Sequence, residues 1–171
     1  MKLIYEIFRD QGLNLKGRTL ERESAKAIIW RGGKLLLVYS SFRRAYKFPG
    51  GGVQLGETYE ETLAREIREE CGARLDQILG EFGMVIEYKR PFEPEYEVIK
   101  MISRYYLCRV GDGLGQLCLD DYEQELGYCP QWVDINDAIQ ANHRLSNLPG
   151  ADIPGWVVRE MYILEKVKQL V

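Results

Sequence analysis

Residues 51–73 read GGVQLGETYEETLAREIREECGA, and this stretch constrains the fold more tightly than any other. A glycine-rich turn runs into a helix whose two ends are both marked. Thr58 is a good N-cap, and Glu61, three residues on, closes a capping box. Glu60 and Glu61 fall in the first turn, where the helix dipole favours negative charge. Gly72 follows the last periodic residue, as a left-handed C-terminal cap requires. Together these signals predict a helix over Tyr59–Cys71.

The faces of that helix differ. At 100° per residue, Tyr59, Leu63, Ala64, Ile67 and Cys71 make an apolar stripe. Glu61, Arg65 and Arg68 point away from it. Glu66, Glu69 and Glu70 lie on the flank beside the stripe, spaced so that their carboxylates are neighbours. Like charges at that spacing repel, and more strongly beside a packed core. A solvated acidic face is the plain reading. A hard divalent cation with oxygen ligands, Mg2+ first and Mn2+ second, would offset the repulsion and mark a phosphate site.

The whole stretch resembles the Nudix box. That pattern is Gly, five residues, Glu, seven residues, Arg-Glu, an aliphatic, any residue, Glu-Glu, any residue, Gly, an aliphatic. Here its positions are Gly51, Glu57, Arg65, Glu66, Ile67, Glu69, Glu70, Gly72 and Ala73. Ala73 is small for the final aliphatic, which bears on packing and not on chemistry. The resemblance implies an α+β fold, an α/β/α sandwich with a mixed, mostly antiparallel sheet. It implies Glu66, Glu69 and Glu70 as metal ligands, with the carbonyl of Gly50 beside them. It implies a structural role for Gly51, Glu57, Arg65 and Gly72, with Arg65 pairing Glu57 to pin the loop to the helix.

It also implies a reaction, the hydrolysis of a nucleoside diphosphate linked to another group. The water would be oriented or deprotonated by Glu66, Glu69 or a downstream acid. Glu123 and Glu125, with Asp120 and Asp121 behind them, precede a Trp-Val strand where family members often place such an acid. The substrate stays open between a nucleoside triphosphate, oxidised or not, and an ADP-ribose or nucleotide-sugar type. A non-catalytic Nudix domain that binds a nucleotide or a protein is the alternative; retention of all the box carboxylates argues for the enzyme.

Other stretches frame the site. Residues 1–8, 25–30 and 34–39 read as strands, the last two as a hairpin over Arg31-Gly32-Gly33. Residues 10–24 read as a loop in an N-terminal extension, residues 1–24, that would serve dimerisation in a homodimer. Arg43, Arg44 and Lys47 precede the glycines and are candidates to meet substrate phosphate. Residues 79–90 and 97–110 read as long strands. The second is apolar on both faces, as a strand covered on both sides must be. Residues 116–119 read as a brief strand, 131–133 as another and 135–141 as a helix. Residues 142–152 read as a loop holding His143, a helix-end or solvent residue. A docked core helix runs from Pro154 to about Leu170.

With 171 residues the chain predicts a single Nudix domain over residues 1–171. A net charge of −3 offers no basic field for a nucleic acid polymer or an anionic membrane; a small nucleotide is the partner that the resemblance implies. There is no apolar run of membrane-spanning length and no signal-peptide pattern. Cys71, Cys108, Cys118 and Cys129 form no C-x-x-C pair, which points to free thiols and a cytoplasmic setting.

Overall fold

A computed structural model of the chain describes residues 1–150 and 153–170. Eight strands and four helices follow in the order β1 (Leu3–Phe8), β2 (Thr19–Arg31), β3 (Lys34–Ser40), β4 (Ala45–Lys47), β5 (Gly50–Gly52), α1 (Tyr59–Cys71), β6 (Leu75–Lys89), β7 (Val98–Val110), α2 (Asp121–Glu125), β8 (Tyr128–Val133), α3 (Ile135–Ser146) and α4 (Gly155–Lys168). The strands run β1-β6-β7-β2-β3-β4, with β5 added on β2 and β8 on β3. β1–β6 and β2–β7 pair in parallel, and the other pairs are antiparallel. This is the mixed, mostly antiparallel sheet expected of an α+β sandwich.

Strand alternation builds the layers. Ala25, Ala27 and Ile29 of β2, Leu36 and Val38 of β3, and Tyr106 and Cys108 of β7 face α1 through Leu63, Ile67 and Cys71. Their neighbours Ile28, Leu35, Leu37 and Tyr105 face α3 and α4 through Ala138, Ile139, Ile163 and Leu164. Both faces of the central strands are therefore buried, which is why they read as continuous apolar runs rather than alternating ones.

Several boundaries differ from the sequence reading. β2 begins at Thr19, not at residue 25, because Thr19–Glu23 pair with Val98–Ile102 of β7. The polar residues there are held across the ladder: Lys100 meets Glu21 at 2.8 Å and Arg104 meets Glu23 at 2.9 Å. β4 lies in what reads as a basic loop, paired to Val38–Ser40 of β3. Residues 116–119 are not a strand. The chain there caps the end of α1, with the Gly115 and Cys118 amides donating to the Gly72 and Glu69 carbonyls at 2.8 and 2.9 Å, so carbonyls left over at a helix end are satisfied. α3 continues to Ser146, past the expected end at residue 141, so His143 is helical and faces Glu165 of α4 at 3.4 Å. The remainder of the loop read over 142–152 ends at residues 151 and 152, outside the described residues. Among the described residues no helix is long and apolar enough to cross a membrane, and all four cysteines are free.

Candidate metal centre

The box helix aims its carboxylates by packing. Both halves of the Thr58–Glu61 capping box form, and Gly72 ends the helix with φ 62°, a left-handed value that favours glycine. With Leu63, Ile67 and Cys71 driven into the sheet, Glu66 and Glu70 are carried inward, leaving Glu66 8% and Glu70 1% exposed. The third acid comes from α2. Asp120 caps that short helix, the Glu123 amide donating to its carboxylate at 2.8 Å while the Asp120 amide donates to Glu123 at 3.1 Å. Oxygens of Glu66, Glu70 and Glu123 lie within 4.8 Å of one another.

Two lysines, Lys26 buried and Lys47 partly so, offset this charge. Lys47 of β4 reaches the Glu70 carboxylate at 2.5 Å and sits 4.6 Å from the centre of the Tyr128 ring. Lys26 of β2 donates to the Gly50 carbonyl, and the Gly50 amide donates to Glu70 at 2.7 Å. Burial pushes Glu66 above its ordinary carboxylate value, and the neighbouring Glu70 charge adds to the push. Burial would raise Glu70 too, but Lys47 and Lys26 hold it below its ordinary value. Glu123 is moved up to about 7 by burial and by its contact with Glu70. Lys26 is moved down to about 8 by burial and by Lys47.

Arg65 ties the flanking loop to the helix. Its guanidinium donates to both oxygens of Glu57 at 2.7 and 2.9 Å, to the Gly52 carbonyl at 3.1 Å and to Glu66 at 2.6 Å. Hydrogen bonds from Arg65 and from the Gln54 amide hold Glu57 down to about 2. Gly51 is required by space: a Cβ there would lie 2.2 Å from Glu66 Oε1. The obstacle is the end of a flexible side chain, so Gly51→Ala is expected to fold while displacing Glu66. A shell residue of this kind costs about 10–100-fold in metal affinity when altered. Calorimetric Mg2+ titration of the variant, with its melting temperature little changed, checks this.

The sequence candidates divide in space. Glu66 and Glu70 converge with Glu123. Glu69 does not join that cluster; its oxygens turn to Arg65 at 3.3 Å and Arg68 at 3.9 Å. Glu125 is exposed at the end of α2 and is outside the cluster. Lys47 is engaged with Glu70 instead of facing an open cleft. Arg43 and Arg44, in the turn between β3 and β4, line a separate cavity under α3 together with Tyr46, while Lys47 faces the acids. Lys26 was missed: within an apolar run it looks like a strand interruption, and only its pairing with β5 gives it a role. An open cavity of about 810 Å3 shares Lys26, Gly51 and Glu57 with this centre and reaches Met101 and Arg159.

A glycine-bounded helix that carries inward carboxylates against a mixed sheet is the arrangement of a Nudix fold. Residues 20–150 match the NUDIX domain family, and the chain belongs to that family. It is 38% identical over 74 residues to an RNA pyrophosphohydrolase of Sulfurovum sp. (strain NBC37-1), covering 42% of this chain and 47% of that protein. It is 36% identical over 69 residues to an RNA pyrophosphohydrolase of Helicobacter pylori (strain ATCC 700392 / 26695), covering 39% of this chain and 44% of that one. The chain thus spans about half the length of these relatives. Its fold is similar to a MutT NUDIX hydrolase from Burkholderia pseudomallei, with TM-score 0.56 and 22% identity over 86% of this chain and 98% of that one. It is also similar to a NUDIX hydrolase from Nitrosomonas europaea, with TM-score 0.56 and 19% identity over 87% of this chain and 90% of that one.

Proposed function

We propose that the chain hydrolyses a phosphoanhydride bond in a nucleoside diphosphate linked to another group, with Mg2+ or Mn2+ as cofactor. The observation that carries this is the meeting of Glu66, Glu70 and Glu123 within 4.8 Å, their carboxylates steadied by the Gly50 amide, which donates to Glu70. All are hard oxygen donors, the set a small divalent cation prefers. The close fit of Gly51 under Glu66 supports a cradle shaped for the carboxylate. Glu66, Glu70 and Glu123 would hold the ion, and the Gly50 carbonyl would join them if Lys26 released it. When bound, it would screen the phosphate oxygens and acidify its water.

The remaining work falls to the chain. Glu123, the least buried of the three acids, is the candidate to accept the proton of the attacking water. Glu66 and Glu70 are buried and stay fixed on a rigid helix. Glu69 is kept as a second candidate base, reached if Arg65 releases it. Lys47 holds Glu70 ionised, and Arg65 with Glu57 fixes the loop that roofs the cavity. The cavity of about 810 Å3 is wide enough for a nucleotide.

The relatives are named RNA pyrophosphohydrolases, which favours an RNA over an ADP-ribose type and so reopens the polymer that the charge balance disfavours. Incubation with Mg2+ and a panel tests both levels: nucleoside triphosphates, an oxidised triphosphate, ADP-ribose and 5′-triphosphorylated RNA, followed by release of phosphate, pyrophosphate or mononucleotide. Release that needs the metal and is lost in Glu66→Gln supports the reading. Tight binding of a panel member without release would replace the enzyme with a binding module.

A further inference from the structure

The cavity under α3 has no part in the metal centre. It measures about 560 Å3 and is walled by β3, β4 and α3. Its floor is aromatic: Tyr39 and Tyr46 face each other across the β3–β4 pair, with ring centroids 4.8 Å apart and planes tilted by 45°. The floor is fixed. Buried Asn142 of α3 clamps the Tyr46 backbone from both sides, accepting from its amide at 2.7 Å and donating to its carbonyl at 2.8 Å. The Tyr46 hydroxyl donates to Gln131 at 3.1 Å.

The rim is cationic. Among the described residues, Arg44 and Arg144 line it with Arg43 and the acid Asp137. Arg44 is held in a left-handed turn, φ 56°, by its amide donating to the Ser40 carbonyl at 2.7 Å. Its guanidinium meets no carboxylate among the described residues. Arg144 is bonded to Gln140, a neutral partner that leaves its charge uncompensated. An acidic chain thus collects an excess of guanidinium over a rigid aromatic floor. Guanidinium favours phosphate by its paired N–H geometry, and an aromatic floor favours a planar ring. The Asp137 carboxylate accepts from N–H or O–H donors. The volume lies within the range of small-ligand sites.

We propose that this cavity is a second, metal-independent site for a purine nucleoside monophosphate. Its phosphate lies on Arg44 and Arg144, and its base on Tyr39 and Tyr46. The proposal does not rest on hydrolysis at the acidic centre, which lies on the other face of β4.

The test is titration of the full chain with AMP in EDTA, read by calorimetry and by NMR of the tyrosine rings. Saturable binding that shifts Tyr39 and Tyr46 is expected, with adenosine and inorganic phosphate each at least about tenfold weaker, since each lacks one of the two recognition elements. Arg44→Gly suits the backbone angle, so it should keep its melting temperature while weakening AMP about tenfold. Arg144→Gln on the exposed helix face should do the same. The site is overturned if AMP perturbs neither tyrosine, if its shifts map to Lys26 and Gly51 instead, or if Arg44→Gly binds AMP as the wild type does. Phosphate alone binding as tightly as AMP would overturn the nucleotide assignment.

Discussion

Glu123→Gln is expected to lower the metal-dependent rate by about 10²–10⁴-fold, the range for loss of a positioned general base, while the protein still melts cooperatively. The amide retains an oxygen able to accept from the Asp120 amide, so the cap of α2 survives. What disappears is the group that titrates near 7. The sign follows from which form works. A base acts deprotonated, so the wild-type rate falls as pH drops below the folded value of Glu123. Bound cation favours the charged form and carries that limb to lower pH. The raised value also implies that the metal-free fold binds a proton here more tightly than the unfolded chain does. That stability is present at acid pH and is lost as pH rises toward about 7. Mg2+ added at pH 6 should therefore release protons, measurable by calorimetry in buffers of different ionisation heat. Glu123→Gln should release fewer. A wild-type rate in the variant would remove Glu123 from the chemistry.

How much of this centre could be read in advance depended on how local its causes are. The box helix was legible to the residue, because caps, terminal glycine and apolar stripe all lie within residues 58–72. The inward turn of Glu66 and Glu70 followed from that stripe. The outward turn of Glu69 did not, because Arg65 can reach several carboxylates and the choice among them is made by the folded loop. Glu123 stood out from Glu125 only once α2 existed. The Asp120-x-x-Glu123 capping box that builds α2 was present in the sequence and read merely as acidity. Arg43 and Arg44 were assigned by proximity in sequence, which fails where the chain turns: they sit in the turn between β3 and β4, whose geometry directs them to the α3 side. The extension of β2 back to Thr19 needed β7, some eighty positions away, and no periodicity carries such information.

The least legible device is also where the largest loss of stability is expected. Arg159 of α4 is 7% exposed and donates to Glu87 of β6 at 2.6 Å and to Glu160 at 3.2 Å. Glu160, itself fully buried, accepts from the Tyr105 hydroxyl and from the Phe48 amide, both at 3.2 Å. Arg9 completes the cluster by donating to Glu87 at 3.0 Å through Nε. Arg159→Ala would leave the buried Glu160 without a cation and Glu87 with Arg9 alone, a change that costs about 3–5 kcal/mol. At roughly 2–4 °C per kcal/mol for a chain of this size, the melting temperature should fall by about 10 °C.

The pH dependence separates charge from packing. Burial would raise Glu87, yet Arg159 and Arg9 hold it below its ordinary value. Its contribution to wild-type stability is therefore present above the unfolded carboxylate value and is lost as pH falls through the folded one. In the variant Glu87 can relieve its burial by taking a proton, so the gap between the two proteins should narrow toward acid pH. A gap independent of pH would mean that Arg159 acts only by filling space. Arg159→Met with Glu160→Gln, which removes charge from both partners while keeping volume, should regain part of the loss. Because Glu160 also anchors the Phe48 amide two residues ahead of Gly50, loosening this cluster should reach the metal centre as well. The Mg2+ affinity of Arg159→Ala, measured well below its melting temperature, should fall with its stability, and an unchanged affinity would show that the glycine turn is held by β2 alone.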